Sequence, residues 1–234
     1  MNCFAKFCVV ALSVSPLFAG TLWYNGDFDG RNGLANEINT QVTQSNIYDD
    51  FIVPAGQTWV VNSVWSDDLM STTVSSAEWE IRSGVSAGNG GTLIASGTNA
   101  ATQVATGRSG FGFTEYQVTV SGLTGITLGP GKYWLTVAPV DSGSGRSFNS
   151  TTSGANCVGM PCGNDGDSFW NSSFFGENFG PTTDGLGAGT WDFSMGIAGS
   201  LKTNGVPEPG SLGLCFGALG LAVVGAIRRR RTVR

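Results

Sequence analysis

An all-β domain, a jelly-roll-like β-sandwich, is what this sequence predicts, and three observations carry the prediction. Charged residues make up only 12% of the chain, and glycine contributes 36 of its 234 residues; these are about half and about twice the usual shares. Helices of soluble domains need charged faces, so this composition favours short strands joined by many turns. Six segments are rich in β-branched and aromatic residues, while no amphipathic pattern of three helical turns and no repeat of fixed period occurs.

Taken in chain order, the first element is an address. Lys6 precedes an apolar stretch of about a dozen residues that ends in Pro16 and Ala19, the layout of a secretory signal peptide over residues 1–19. Cleavage after Ala19 is expected, and with it an exported protein. The domain is then expected over residues 20–202.

Near its start, Asn25-Gly26-Asp27-Phe28-Asp29-Gly30 places oxygen side chains at positions one, three and five of a loop, with glycine at six. That matches the opening of a calcium loop, but position twelve is Asn36 where glutamate is needed, and flanking helices are lacking. Asn25, Asp27 and Asp29 remain weak Ca²⁺ candidates, with Asp49 and Asp50 nearby in sequence, against Asx-turns that cap a surface loop. Otherwise no metal or cofactor is expected.

The six expected strands are Ile47–Val53, Thr58–Trp65, Ala77–Ser83, Glu115–Leu123, Lys132–Val140 and Thr190–Gly199. Pro54-Ala55-Gly56 and Gly129-Pro130-Gly131 supply turn chemistry between them. Glu78 and Glu80 share one face of a strand, about 7 Å apart at Cα, and read as a solvated acidic face rather than a catalytic pair. The segments YDDFIVPAGQTWVVNSV, WEIRSG, GTLIASG and LGPGKYWLTV loosely resemble β-sandwich modules of other exported bacterial proteins, and no site follows from that.

From residue 141 to 189 the chain is dominated by Gly, Ser, Asn and Thr, and a long loop region is expected, its aromatics arguing against full disorder. Within it Cys157 and Cys162 remain after the signal peptide leaves, with Cys215 set apart in the apolar tail. An even pair in an oxidising compartment predicts a disulfide. Trp170 with Asn171, Asn164 and Asp165 is the candidate sugar-binding patch, a ring to stack on a sugar and amides and acid to bond hydroxyls. Rings folding back over the core are the competing reading.

Charge and composition exclude several function classes. Between Thr21 and Gly205 six cationic side chains face sixteen acidic ones, a net of −10. Such a surface repels nucleic acid and anionic membranes. The chain has no histidine, which removes Ser-His-Asp and Cys-His catalysis and the common His-based zinc sites.

The tail differs from everything before it. Val206-Pro207-Glu208-Pro209 is followed by seventeen uncharged residues, 211–227, and then by Arg228, Arg229, Arg230 and Arg231. Seventeen helical residues span about 25 Å, enough for a thin bilayer, and the arginines place the C-terminus in the cytoplasm. Pro207 and Pro209 hold the segment before the helix extended. This tripartite order over residues 203–234 resembles the PEP-CTERM sorting signal of Gram-negative bacteria. The resemblance implies that Pro207, Glu208 and Pro209 are read by an exosortase-type membrane processing enzyme. It also implies a transient inner-membrane anchor and delivery to the cell envelope, surface or medium.

The expectation is therefore an exported, non-catalytic protein of the envelope or extracellular matrix, structural or adhesive, with exopolysaccharide as its partner. A dedicated carbohydrate-binding module and a polysaccharide-active enzyme are the alternatives. An accessible aromatic strip would favour the first of these, and converging carboxylates the second.

Overall fold

The computed structural model describes residues 20–202. The expected signal peptide over 1–19, the expected sorting motif Pro207–Pro209, the apolar run 211–227 and Arg228–Arg231 lie outside the described residues. Among those described, no helix is long and apolar enough to cross a membrane.

Thirteen strands and one short helix follow in order: β1 (Gly20–Tyr24), β2 (Phe28–Ala35), β3 (Ser45–Val53), β4 (Trp59–Met70), β5 (Ser76–Ser83), β6 (Thr92–Gly110), β7 (Phe113–Leu128), β8 (Gly131–Val140), β9 (Ser147–Thr152), β10 (Phe169–Ser172), β11 (Glu177–Pro181), α1 (Thr183–Leu186), β12 (Asp192–Phe193) and β13 (Met195–Leu201). The fold is all-β and sandwich-like. One hydrogen-bonded path runs β1-β13-β4-β7-β6-β5-β8-β3-β10-β11, and β9 extends it from β4 to β2 and β12. Every strand pairing along it is antiparallel.

β6 is the strand on which the sheet turns over. Its first half, to Ala100, pairs with β5, and its second half, from Ala101, pairs with β7. The two resulting layers close on one core. Val61, Val64, Val118, Val120, Met195 and Ile197 come from the β13-β4-β7 side, and Ile47, Phe51, Ala77, Ile81, Leu135 and Val137 from the β5-β8-β3 side. The period-two alternation of β7 supplies this directly: Val118 and Val120 point inward while Gln117 and Thr119 point outward.

The interior also holds a polar seam that hydropathy does not announce. Asn36 donates through Nδ2 to Asp68 at 3.0 Å and to the Val137 carbonyl at 2.8 Å, and its Oδ1 accepts the Ile47 amide. Ser66 bonds both Asp68 and that same carbonyl, so these groups tie the two layers together. Burial pushes the Asp68 carboxyl up to about 8 despite hydrogen bonds from Ser66 and Asn36.

The segment 141–189 is not one loop. It contains β9, β10, β11 and α1. Its Phe179 packs on Tyr48 and Trp134 over the outer face of the second layer, and Asn149, Ser150, Thr151 and Thr152 of β9 are fully buried. Polar side chains that bond backbone inside the fold, such as Asn149 Nδ2 to the carbonyls of Asp67 and Ser194, make a buried strand that reads as loop. Two expected strands are also longer than read. β4 continues to Met70 and β7 to Leu128, while Thr190–Gly199 divides into β12 and β13.

Candidate functional site

A concavity of about 550 Å³ lies on the outer face of the β1-β13-β4-β7-β6 layer. Its floor follows from strand parity. Ser63, Trp65 and Asp67 alternate along β4, and their neighbours on β7 across the ladder are Ser121, Thr119 and Gln117. On the β13 side Gly196 stands opposite Trp65, and a Cβ there would lie 2.6 Å from Trp65 Cε2. The bare glycine lets the indole lie against the sheet.

One wall is β6, with Val104, Thr106 and Arg108. A register shift between Ala105 and Ser109, with Gly107 at φ 86°, interrupts the ladder just before Arg108. The other wall combines Tyr24, Asp27 and Val158. Val158 exchanges both backbone hydrogen bonds with Tyr24, at 2.8 and 2.9 Å, so the segment after Cys157 extends the sheet past β1. Cys157 and Cys162 form a disulfide, with Cα atoms 5.6 Å apart, and so anchor this wall.

Charge in the groove is concentrated at one end. Arg108 pairs with Asp27 at 2.9 Å, Asp67 at 3.2 Å and Glu115 at 2.5 Å. The Tyr24 hydroxyl lies 2.8 Å from Asp27 and 2.9 Å from Asp67. A phenol has one proton, so it donates to one of them at a time. Burial raises the Asp67 carboxyl to about 6, against hydrogen bonds from Ser194, Tyr24 and Gln117 and with the Glu115 charge adding to the rise. Asp27 behaves oppositely: burial works to raise it, but hydrogen bonds from Asn156 and Tyr24 and the Arg108 charge outweigh that and hold it below the usual range. Burial and the Asp67 charge push the Tyr24 phenol well up, so it stays protonated.

Further along the floor Trp65 is 8% exposed and tilts 35° to the Tyr24 ring at 6.0 Å. Its Nε1–H is buried without a hydrogen-bond partner. An unmet donor of this kind costs about 1–3 kcal/mol. Around it Thr21 and Thr119 offer hydroxyl groups, while Ser63, Thr106 and Gln117 are bonded to the Val120 carbonyl, Glu115 and Asp67. The arrangement suits a hydroxyl-rich ligand.

The residues singled out from sequence have other duties. Trp170 is a core residue, its ring in the main cluster and its Nε1 donating to Ser45 Oγ at 2.9 Å. Strand parity on β10 turns it inward between half-buried Phe169 and Asn171, so it offers no stacking platform. Asn164 accepts from Arg31 at 2.9 Å, and Asp165 caps the Asp167 amide. Asn25 is buried, donating to Asp49 and accepting the Gly163 amide. Asp27 and Asp29 are paired with Arg108 and Arg31, whose guanidinium groups supply the positive charge there. Among the described residues no three acidic, cysteine or histidine side chains are arranged to hold a metal ion.

Asp50 is fully buried beside Lys132, at 3.1 Å. Burial and the nearby Asp165 charge raise it to about 7, against the pull of Lys132. Glu78 accepts from Asn46, and Glu80 from Tyr48 and Arg82, so this pair supports the second layer and is not a free acidic face. The groove itself was missed in the sequence because β4 was read as ending at Trp65. The signal was present in Ser63-Trp65-Asp67, an aromatic between polar residues at strand spacing.

Comparison with family models, with curated proteins and with solved structures gives no match.

Proposed function

We propose that this chain is an exported, non-catalytic protein of the bacterial envelope or extracellular matrix that holds polysaccharide in the Trp65 groove. The observation that carries this reading is the open groove in which the Tyr24 and Trp65 rings stand beside hydroxyl and amide side chains. Aromatic edges with convergent polar groups are the chemistry of sugar recognition. Binding is favoured over hydrolysis because both groove carboxylates, Asp27 and Asp67, are tied to Arg108. Neither is free to transfer a proton to a leaving group.

Delivery rests on the sequence. The signal peptide over 1–19 and the PEP-CTERM-like tail support export, a transient membrane anchor and processing by an exosortase-type enzyme near Pro207–Pro209. The fold is read more finely as a jelly-roll-like sandwich, a reading supported by the turn-over of the sheet at β6.

Two experiments test the proposal. Intact mass spectrometry of protein from envelope and medium is expected to find a species without residues 1–19 and without the segment after Pro209. A chain that keeps its arginine tail contradicts sorting. Full-length protein is also expected to be retained on matrix polysaccharide from its host, with Trp65→Phe, which shrinks the aromatic surface of the groove floor, weakening retention about tenfold. Equal retention of both forms would remove the groove from the proposal.

A further inference from the structure

The charges of the groove bear on which sugars it accepts. Arg108 is the one cation in its lining among the described residues. All three guanidinium nitrogens already face carboxylates: Nε on Glu115, Nη1 on Asp27 and Nη2 on Asp67. An incoming uronate or sulfate therefore finds no free cationic fork and meets three carboxylates against one guanidinium.

The same corner is short of protons. Tyr24 has a single proton between Asp27 and Asp67, and Asp67 Oδ2 already accepts from Ser194 and Arg108. Asp67 is buried, its side chain 1% exposed, whereas that of Asp27 is 25% exposed and reaches the open part of the groove. Asp27 is also the carboxyl held below its ordinary range, so it is charged throughout the neutral range. An added cationic donor at Asp27 would meet an accessible charged acceptor and relieve the excess of carboxylates behind it. The Tyr24 and Trp65 rings beside it supply apolar surface for the same sugar.

We infer that the groove is selective for amine-bearing sugars, with the protonated amino group of a hexosamine on Asp27 and the ring of the same sugar against Tyr24. This rests on the saccharide reading above and narrows it to one charge class. Neutral sugars fit without the ion pair, and acidic sugars are repelled.

The test uses the full-length protein with three hexamers in titration calorimetry: β-1,4-glucosamine with free amines, its fully N-acetylated counterpart, and oligogalacturonate. The free-amine hexamer is expected to bind about tenfold tighter than the acetylated one, the factor for one charge-assisted hydrogen bond at a partly exposed site. Oligogalacturonate is expected not to bind. The preference should shrink as salt rises, a readout that needs no variant, and should vanish in Asp27→Asn. Equal affinity for the amine and acetylated hexamers, or a preference that salt leaves unchanged, overturns amine selectivity and leaves the saccharide reading standing. Tightest binding of oligogalacturonate overturns the charge argument. No binding of any of the three overturns both.

Discussion

Replacing Gly196 by alanine tests how Trp65 is seated, and its effect follows from two opposed contributions. The backbone there is not in the left-handed region, so alanine fits the strand and restricts the unfolded chain, favouring folding by about 0.4–1 kcal/mol. Against this, the new Cβ would stand 2.6 Å from Trp65 Cε2 and 2.8 Å from the Trp23 carbonyl oxygen. The indole can swing outward into the groove, but the carbonyl belongs to β1, which pairs with β13 at this point through Tyr24 and Gly196. Overpacking of this kind costs about 1–3 kcal/mol, so the net expectation is a loss of about 1–2 kcal/mol. For a domain of this size that lowers Tm by roughly 3–6 °C. Urea unfolding should show a lower midpoint at unchanged slope, and the displaced ring should make tryptophan emission more open to acrylamide quenching. An unchanged or raised Tm with unchanged quenching would refute the placement of Trp65 over Gly196.

Two further outcomes are expected from other parts of the fold. Replacing Cys157 and Cys162 together by serine should cost about 2 kcal/mol in urea unfolding, the loop-closure value for a span this short, and should weaken sugar binding by loosening Val158; full affinity in the variant would detach that wall from the groove. Stability should also fall as pH rises from about 4 to about 8, because burial holds Asp68 at about 8 against an ordinary 3.8. Below that window both states keep the proton; within it the unfolded chain releases it first, at up to about 1.4 kcal/mol per pH unit for this group. Asp68→Asn keeps a bond to Asn36 through its Oδ1 and can donate to Ser66, whose proton is then free for the Val137 carbonyl. The variant should gain on the wild type between pH 5 and pH 8, and parallel stability curves would contradict the assignment.

The strands that were legible in the sequence are those whose hydropathy alternates or whose β-branched residues run together. Val118 and Val120 on β7 show the first, and Thr136 and Val137 on β8 the second. β6 was not legible, although it organises the fold. Its residues are mostly Ala, Gly, Ser and Thr, largely exposed, and its strand geometry is imposed by β5 and β7. β9 was hidden for the opposite reason: it is buried, but by Asn, Ser and Thr side chains whose hydrogen-bond partners come from distant parts of the chain. The site was misplaced by parity. Trp170 and Trp65 both sit beside polar neighbours, and only the pairing of β10 and β4 with their partners shows that one faces the core and the other a groove. Around Trp65 the sequence is polar at Ser63, Ser66, Asp67 and Asp68, so composition cannot say which face is outside. Acidic residues near the N-terminus were visible, but that Arg31 and Arg108 return to neutralise them depends on β2 and on the register shift in β6.

The position of β13 has a mechanical consequence. It is held on both sides, by β1 and by β4, and the chain leaves it at Leu201 and Lys202. Its pairing with β4 runs from Met195 opposite Ser66 to Leu201 opposite Trp59, and Trp65, the groove floor, is on β4. A pull between a bound polymer and the C-terminal side of Lys202 therefore crosses the β4–β13 ladder. Its hydrogen bonds lie across the strand axis, so a load along β13 is shared by all of them at once. Under traction the domain behaves as a lap joint and not as a zipper.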